Sequence, residues 1–223
     1  MKSRSRLRFL LEAIEGGIAL CTTFLTWPVS KRWLRNWGAS EQERRGPWAG
    51  DDLVSANLAP NTRAIEVAAS AEMVWPWLVQ FGFGRAGFYS YELLERMVGI
   101  GVTNLESIEP TMQSISVGDE VLLHPKAPGI PVAMVERNRH ICFGEEHDSN
   151  AATRQDVERS WSFYISPMTA NTCRLVVRGC FEETRKRSVW ARVAFALEQP
   201  NDFVMEQRML RTIKRLAETA APP

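Results

Sequence analysis

The sequence is poor in the residues that most often carry polar active-site chemistry. Only three histidines, His124, His140 and His147, occur in 223 residues, and they follow no metal-ligand spacing. His147 stands beside Glu145, Glu146 and Asp148, a grouping that reads as a solvated loop. The four cysteines, Cys21, Cys142, Cys173 and Cys180, are widely spread and include no CxxC pair. They signal neither a zinc site nor a disulfide framework, and fit small buried side chains in a reducing, cytoplasmic compartment. There is no Gly-x-Ser-x-Gly elbow, no His-Glu-x-x-His helix and no Cys–His pair close in sequence. No metal, no cofactor and no assignable catalytic residue are therefore expected. Charge imbalance is missing too: 27 Lys plus Arg against 26 Asp plus Glu leave a net charge of +1. Without a basic footprint, nucleic acid is not an expected partner. Internal repeats and low-complexity tracts are also lacking.

A long uncharged apolar run is lacking as well, although the N-terminus comes close to one. Lys2, Arg4, Arg6 and Arg8 precede a mostly apolar stretch from Phe9 to Val29, which Glu12 and Glu15 interrupt. Within that stretch only Gly16 to Val29, 14 residues, is free of charge, against the roughly 20 that a spanning helix needs. No small-residue cleavage site follows. Two readings stand level: a helix lying in the cytoplasmic membrane interface, which Trp27, Trp33, Trp37 and the flanking cations suit, or a helix packed on the domain. A spanning or secretory segment is the less favoured third. The expected localisation is cytoplasmic, peripheral at the inner face of the membrane under the first reading. Residues 1–36 are thus set apart as a hydrophobic or amphipathic helix, and 37–61, with Gly46, Pro47, Gly50 and Pro60, as an extended linker.

What is present from 62 to 220 reads as one α+β domain, with 45% hydrophobic residues to build a core. Thr62–Ala68 alternates as a first strand, and Ser70 offers an N-cap to a helix carrying Val74, Trp75, Leu78 and Phe81, with Pro76 kinking it or sitting in its first turns. A glycine-broken turn, Gly82 to Gly87, leads to a second helix over Tyr89–Val98 with Leu93, Leu94 and Met97 as its buried stripe. Strands follow over Val117–Leu123, Val132–Glu136, His140–Gly144, Trp161–Ile165 and Cys173–Glu182, as an antiparallel meander. Trp161, Phe163 and Ile165 share one face of their strand; Leu175, Val177, Gly179 and Phe181 share one face of the last. Arg178 faces the other way, and is expected outside or ion-paired at an edge. Val189–Leu197 reads as a short helix ended by Pro200. Met205, Met209, Leu210, Ile213, Leu216 and Ala217 then form the stripe of a long C-terminal helix, with Arg208, Arg211, Lys214 and Arg215 on its solvated face.

The strings TRAIEVAAS, VWPWLVQFGFGRAGFYSYELLERMVG, NLESIEP, VGDEV, WSFYI, RLVVRG and FVMEQRMLRTIKRLAE resemble a bacterial branch of the START-like and pollen-allergen-like superfamily, SRPBCC. The resemblance covers roughly Trp37 to Glu218. It implies a helix-grip fold, in which a curved antiparallel sheet wraps around the long C-terminal helix, with two short helices after the first strand; the N-terminal helix is extra. It also implies a cavity that holds lipids, sterols, polyketides or other apolar molecules. A minority of the superfamily are cyclases, and no common catalytic motif exists to carry over.

Gly82-Phe83-Gly84-Arg85-Ala86-Gly87 matches GxGxxG, but a helix precedes it where a dinucleotide site needs a strand, so the glycines read as turn residues. Trp75, Trp77, Phe81, Phe83, Phe88, Tyr89 and Tyr91 put seven rings into 17 residues, in a chain with 9% aromatics. Core packing and cavity lining both account for them. Trp161 and Phe163 on the sheet, and the adaptable Met205 and Met209 on the last helix, complete the expected cavity wall. The expected function is binding or carriage of a hydrophobic small molecule. The alternatives are a cyclase, in which Asp119 or Tyr89 moves a proton, and a membrane-associated interaction protein with a filled core.

Overall fold

The computed structural model describes residues 6–54, 60–144, 159–181 and 189–220, with backbone alone for 159, 181 and 189–198. The loop around His147 and residue Glu182 lie outside the described residues. Five helices, α1 (Arg6–Arg35), α2 (Glu41–Arg45), α3 (Ala71–Val79), α4 (Glu92–Met97) and α5 (Val189–Thr219), accompany six strands. The strands are β1 (Asn61–Val67), β2 (Glu120–Val121), β3 (Ile130–Glu136), β4 (His140–Gly144), β5 (Arg159–Thr169) and β6 (Thr172–Phe181). They form one antiparallel sheet in the order β1-β6-β5-β4-β3-β2, and α5 packs along it: this is the helix-grip plan.

The register shows why the sheet has to be covered. Ile165 lies opposite Leu175, Phe163 opposite Val177 and Trp161 opposite Gly179, so period-two alternation places all of them on one face. β4 adds Ile141 and Phe143, and β1 adds Ile65 and Val67. Val74, Trp75, Trp77 and Leu78 of α3 and Met209, Leu210, Ile213 and Leu216 of α5 bury that face. Between Val132 and Met134 a bulge inserts one residue into β3, which bends the strand and curves the sheet around the helix.

The opposite face is also buried. Tyr164, Val176, Cys142 and Ala64 project there and form a second cluster with Leu53 and Trp48, whose ring lies 4.5 Å from that of Tyr164. The Tyr164 hydroxyl donates to the carbonyl of Ala49. Residues 37–54, expected as an extended linker, are here short helical turns laid across this face. Ser40 closes a capping box with Glu43 at the start of α2. Arg174 donates twice to the Glu43 carboxylate, both at 2.9 Å, and Arg178 to that of Asp51 at 2.6 and 3.1 Å. Arg178 is thus ion-paired but buried under this strap on an inner strand of the sheet, not at an edge.

Other expectations are corrected. The strand over Val117–Leu123 shrinks to Glu120–Val121: Gly118 has φ +89, and Asp119 accepts from the Ser116 N–H at 2.8 Å, so a turn takes its first half. The helix after the aromatic turn begins at Glu92, and its buried side chains are Glu92, Leu94 and Glu95, while Met97 is 74% exposed. The stripe failed because both acids have partners inside: Asn104 N–H donates to Glu92, and Ser90 Oγ to Glu95. Pro200 does not separate two helices. It lies inside α5, which runs on after giving up the one backbone bond that proline cannot donate.

The segment between α3 and α4 is shaped by Asn104. Its Oδ1 accepts from the N–H groups of Phe88 (3.0 Å) and Tyr89 (2.7 Å), and its Nδ2 donates to the Ser90 carbonyl at 2.9 Å. Gly87, at φ +85, lies so close that an added Cβ would stand 2.5 Å from Asn104 Oδ1, so only glycine fits.

Two outcomes follow from these bonds. Asn104→Ala leaves three buried backbone groups without partners and should cost about 2–4 kcal/mol in chemical denaturation. For the strap, burial pushes the Glu43 carboxyl up, but Arg174 and the Ser40 amide hold it below the ordinary carboxylate range. A depressed folded value means that this contribution is present above the unfolded value and lost as pH falls through the folded one. Glu43→Gln should therefore lower Tm at pH 7 and show a shallower acid decline than the parent; parallel pH profiles would contradict the role assigned to the pair.

Candidate functional site

A cavity of about 270 Å³ lies between the concave face of the sheet, the middle of α5 (residues 202–209) and the Phe88–Glu95 segment. Its position follows from the packing. Beyond residue 209, α5 meets the sheet through Leu210, Ile213 and Leu216 and fills the space there. Towards Trp161 the strand opposite carries Gly179, which contributes no side chain, and the helix stands over an opening. The apolar wall is Phe88, Leu123, Ile130, Trp161, Met205 and Met209.

Polar groups gather around Asn61, Arg63, Ser90, Glu95, Asp202 and Glu206. Arg63 shares the inner face of β1 with Ile65 and Val67 and is almost wholly buried. Its Nε donates to the Leu34 carbonyl at 2.9 Å, one terminal nitrogen lies 3.0 Å from Glu206 on α5, and the guanidinium sits 5.3 Å from the centre of the Phe203 ring. Its other terminal nitrogen is buried with no hydrogen-bond partner among the described residues. Burial raises the pKa of Glu95, against the opposing hydrogen bond from Ser90 at 2.5 Å. The carboxyl thus keeps its proton to higher pH than an exposed one.

Of the residues singled out in the sequence, Phe88, Trp161, Met205 and Met209 line this cavity. Phe81 and Phe163 stand behind the wall: Phe81 packs at 5.2 Å on Phe88, 5.3 Å on Trp161 and 5.6 Å on Phe163. Trp75 and Trp77 are core, and Phe83 is half-buried against it. The Tyr89 hydroxyl accepts from Gln80 at 2.9 Å, and burial raises its pKa. Tyr91 turns towards α1, where its hydroxyl donates to Glu15 at 3.0 Å; burial, reinforced by that carboxylate, pushes its pKa up to about 12. Asp119 is an exposed turn residue. Neither residue named for proton transfer in the cyclase alternative borders the cavity. Among the described residues, no three His, Cys, Asp or Glu side chains gather where they could hold a metal ion.

Sequence reasoning missed Arg63, Glu95 and Glu206. For Arg63 a signal exists, since a cation at the parity of Ile65 and Val67 breaks the apolar side of an alternating strand. For the two glutamates none does, because an acid in a helix reads as a solvated residue until its neighbours are known.

No protein-family model matches the chain, and no curated protein matches it. Solved structures do. The complex of norcoclaurine synthase from Thalictrum flavum with dopamine and hydroxybenzaldehyde is 16% identical, with 77% of this chain and 93% of that one covered at a TM-score of 0.44. A polyketide-cyclase-like protein from Corynebacterium glutamicum is 14% identical over 74% and 94%, TM-score 0.41. A START superfamily protein from Mycobacterium smegmatis is 12% identical over 70% and 98%, TM-score 0.36. At such scores nothing about ligand or reaction passes to this chain, and the fold rests on its own strand order. The chain has the helix-grip plan, and its structural neighbours are START-like and polyketide-cyclase-like proteins.

Proposed function

We propose that this chain binds a hydrophobic small molecule, lipid-like or polycyclic, in the cavity under α5 and carries it without transforming it. The observation that supports the reading is the wall of Phe88, Leu123, Ile130, Trp161, Met205 and Met209 around about 270 Å³. Burial at about 25 cal/mol per Å² of apolar surface is the holding force. The two methionines, unbranched and polarizable, let the helix side adapt to ligand shape. The polar group of such a ligand would lie towards Arg63, Glu95 and Glu206. Entry would be by movement of the Phe88–Glu95 segment and α4. An interaction protein with a filled core requires no such space, which is why the binder is preferred.

Met205 is half-buried and lies in the cavity wall. Met205→Trp should fill the cavity, leave Tm within a few degrees and weaken an apolar fluorescent probe by roughly tenfold or more. Organic extracts of the full-length protein, purified natively, should contain a stoichiometric apolar molecule that extracts of an equally treated control protein lack. Extracts with no such molecule, together with probe affinity indifferent to Met205→Trp, would overturn the proposal.

A further inference from the structure

The N-terminal helix turns much of its apolar surface away from the domain on which it is packed. Glu12, Gly16, Thr23 and Leu34 are its buried residues. Arg208 of α5 reaches Glu12 at 3.1 Å and Glu15 at 3.3 Å, while Arg8 and Arg215 both meet Glu106 at 2.7 Å. The Gly16 position lies against the Tyr91 ring, where a Cβ would stand 3.0 Å away. Over the first half of the helix charged and small residues thus face the protein, and Leu20, Trp27 and Leu34 pack on it further along. The opposite face carries Leu7, Leu11, Ile14, Ile18, Leu25 and Val29, between 58% and 89% exposed. Their spacing of three, four and seven residues keeps them on one side of the helix.

We infer that this face lies in the plane of a lipid bilayer, with α1 docked on α5 and not crossing the membrane. The inference is independent of what the cavity holds. Length and composition alone would let α1 span. A span, however, would either strip Glu12 and Glu15 from Arg208 or draw the Arg208, Arg211, Lys214 and Arg215 side of α5 into hydrocarbon. The far end of the helix is held as well, by Leu34 packed with Phe203 and by Arg35 Nε donating to Asn61 at 2.6 Å. Charge selects the bilayer over a second copy of the chain. Exposed Arg6 stands at one end of the apolar stripe and exposed Lys31 and Arg32 at the other, while both acids of the helix are turned to Arg208. Pairing two such helices, parallel or antiparallel, would bring cations onto cations. Anionic headgroups instead meet them at both ends. Leu10, Phe24 and Trp33, also exposed, broaden the apolar arc beyond the two-position seam of a helix pair, and Trp33 beside Arg32 suits the headgroup boundary.

Cys21 provides the test. It is exposed and stands near the middle of α1, whereas the other three cysteines are buried. Full-length protein labelled there with an environment-sensitive fluorophore is mixed with phosphatidylcholine vesicles with and without phosphatidylglycerol. The expected result is preference for the anionic vesicles and quenching by lipids labelled near the headgroup more than by lipids labelled at the chain end. Leu25→Glu with Val29→Glu, at positions 83% and 89% exposed, should weaken vesicle binding by roughly tenfold or more and leave Tm and probe affinity in the cavity unchanged. Stronger quenching from the chain end would mean that α1 spans and would overturn the in-plane reading. Absence of vesicle binding overturns the bilayer assignment; Cys21–Cys21 cross-linking in solution would then assign the face to a second copy.

Discussion

The β5–β6 ladder is apolar on both of its sides, and the rest of the fold is arranged around covering them. Phe163 and Val177 project one way, Tyr164 and Val176 the other. An antiparallel sheet usually leaves one face to water, and this one does not. The concave side takes α3 and α5. The convex side takes the strap of residues 37–54, pinned by Arg174 to Glu43 and by Arg178 to Asp51. Those cations alternate with the apolar residues of β6, so the side chains that would have faced solvent fix the cover in place.

The cavity is the place where this covering is incomplete on the concave side. α5 is one helix with two duties: Leu210, Ile213 and Leu216 close the core, and the turns just before them, residues 202–209, border the cavity on the side of Gly179. At the open end the buried Arg63–Glu206 pair links β1 to the helix. A buried ion pair contributes little net stability once desolvation is counted, yet losing one partner is costly because the other is left charged inside. Its clearer effect is to fix where the helix stands while leaving space beside it.

Much of this was legible in the sequence. WSFYI and RLVVRG announced their alternation, the glycines of GFGRAG announced a turn, and the C-terminal stripe named the residues that close the core. What was illegible shares one cause: sequence periodicity gives the face of an element and not what lies opposite. Seven rings near Trp75 read equally as core or wall; the fold sorted Phe88 into the wall, Phe81 behind it and Tyr91 onto another helix. Met97 held the period of a buried stripe, but Glu92 and Glu95 had hydrogen-bond donors waiting inside and took the interior. In α1 the apolar face was the easier one to read, and it faces away from the domain.

Both ends of the sheet are partly closed to another chain. β2, at one edge, is two residues long. At the other edge, β1 is engaged on the side away from β6: the Ala64 N–H donates to the Trp37 carbonyl, Lys214 donates to the Glu66 carbonyl, and just past the strand the Ala68 N–H donates to Glu218. A protein that carries an exposed apolar helix face needs its strand edges closed, because a surface that gathers copies together would otherwise place unpaired strands side by side, which is how aggregation by strand addition begins. Here Trp37, Lys214 and Glu218 already engage the β1 edge, so adhesion falls mainly to side chains.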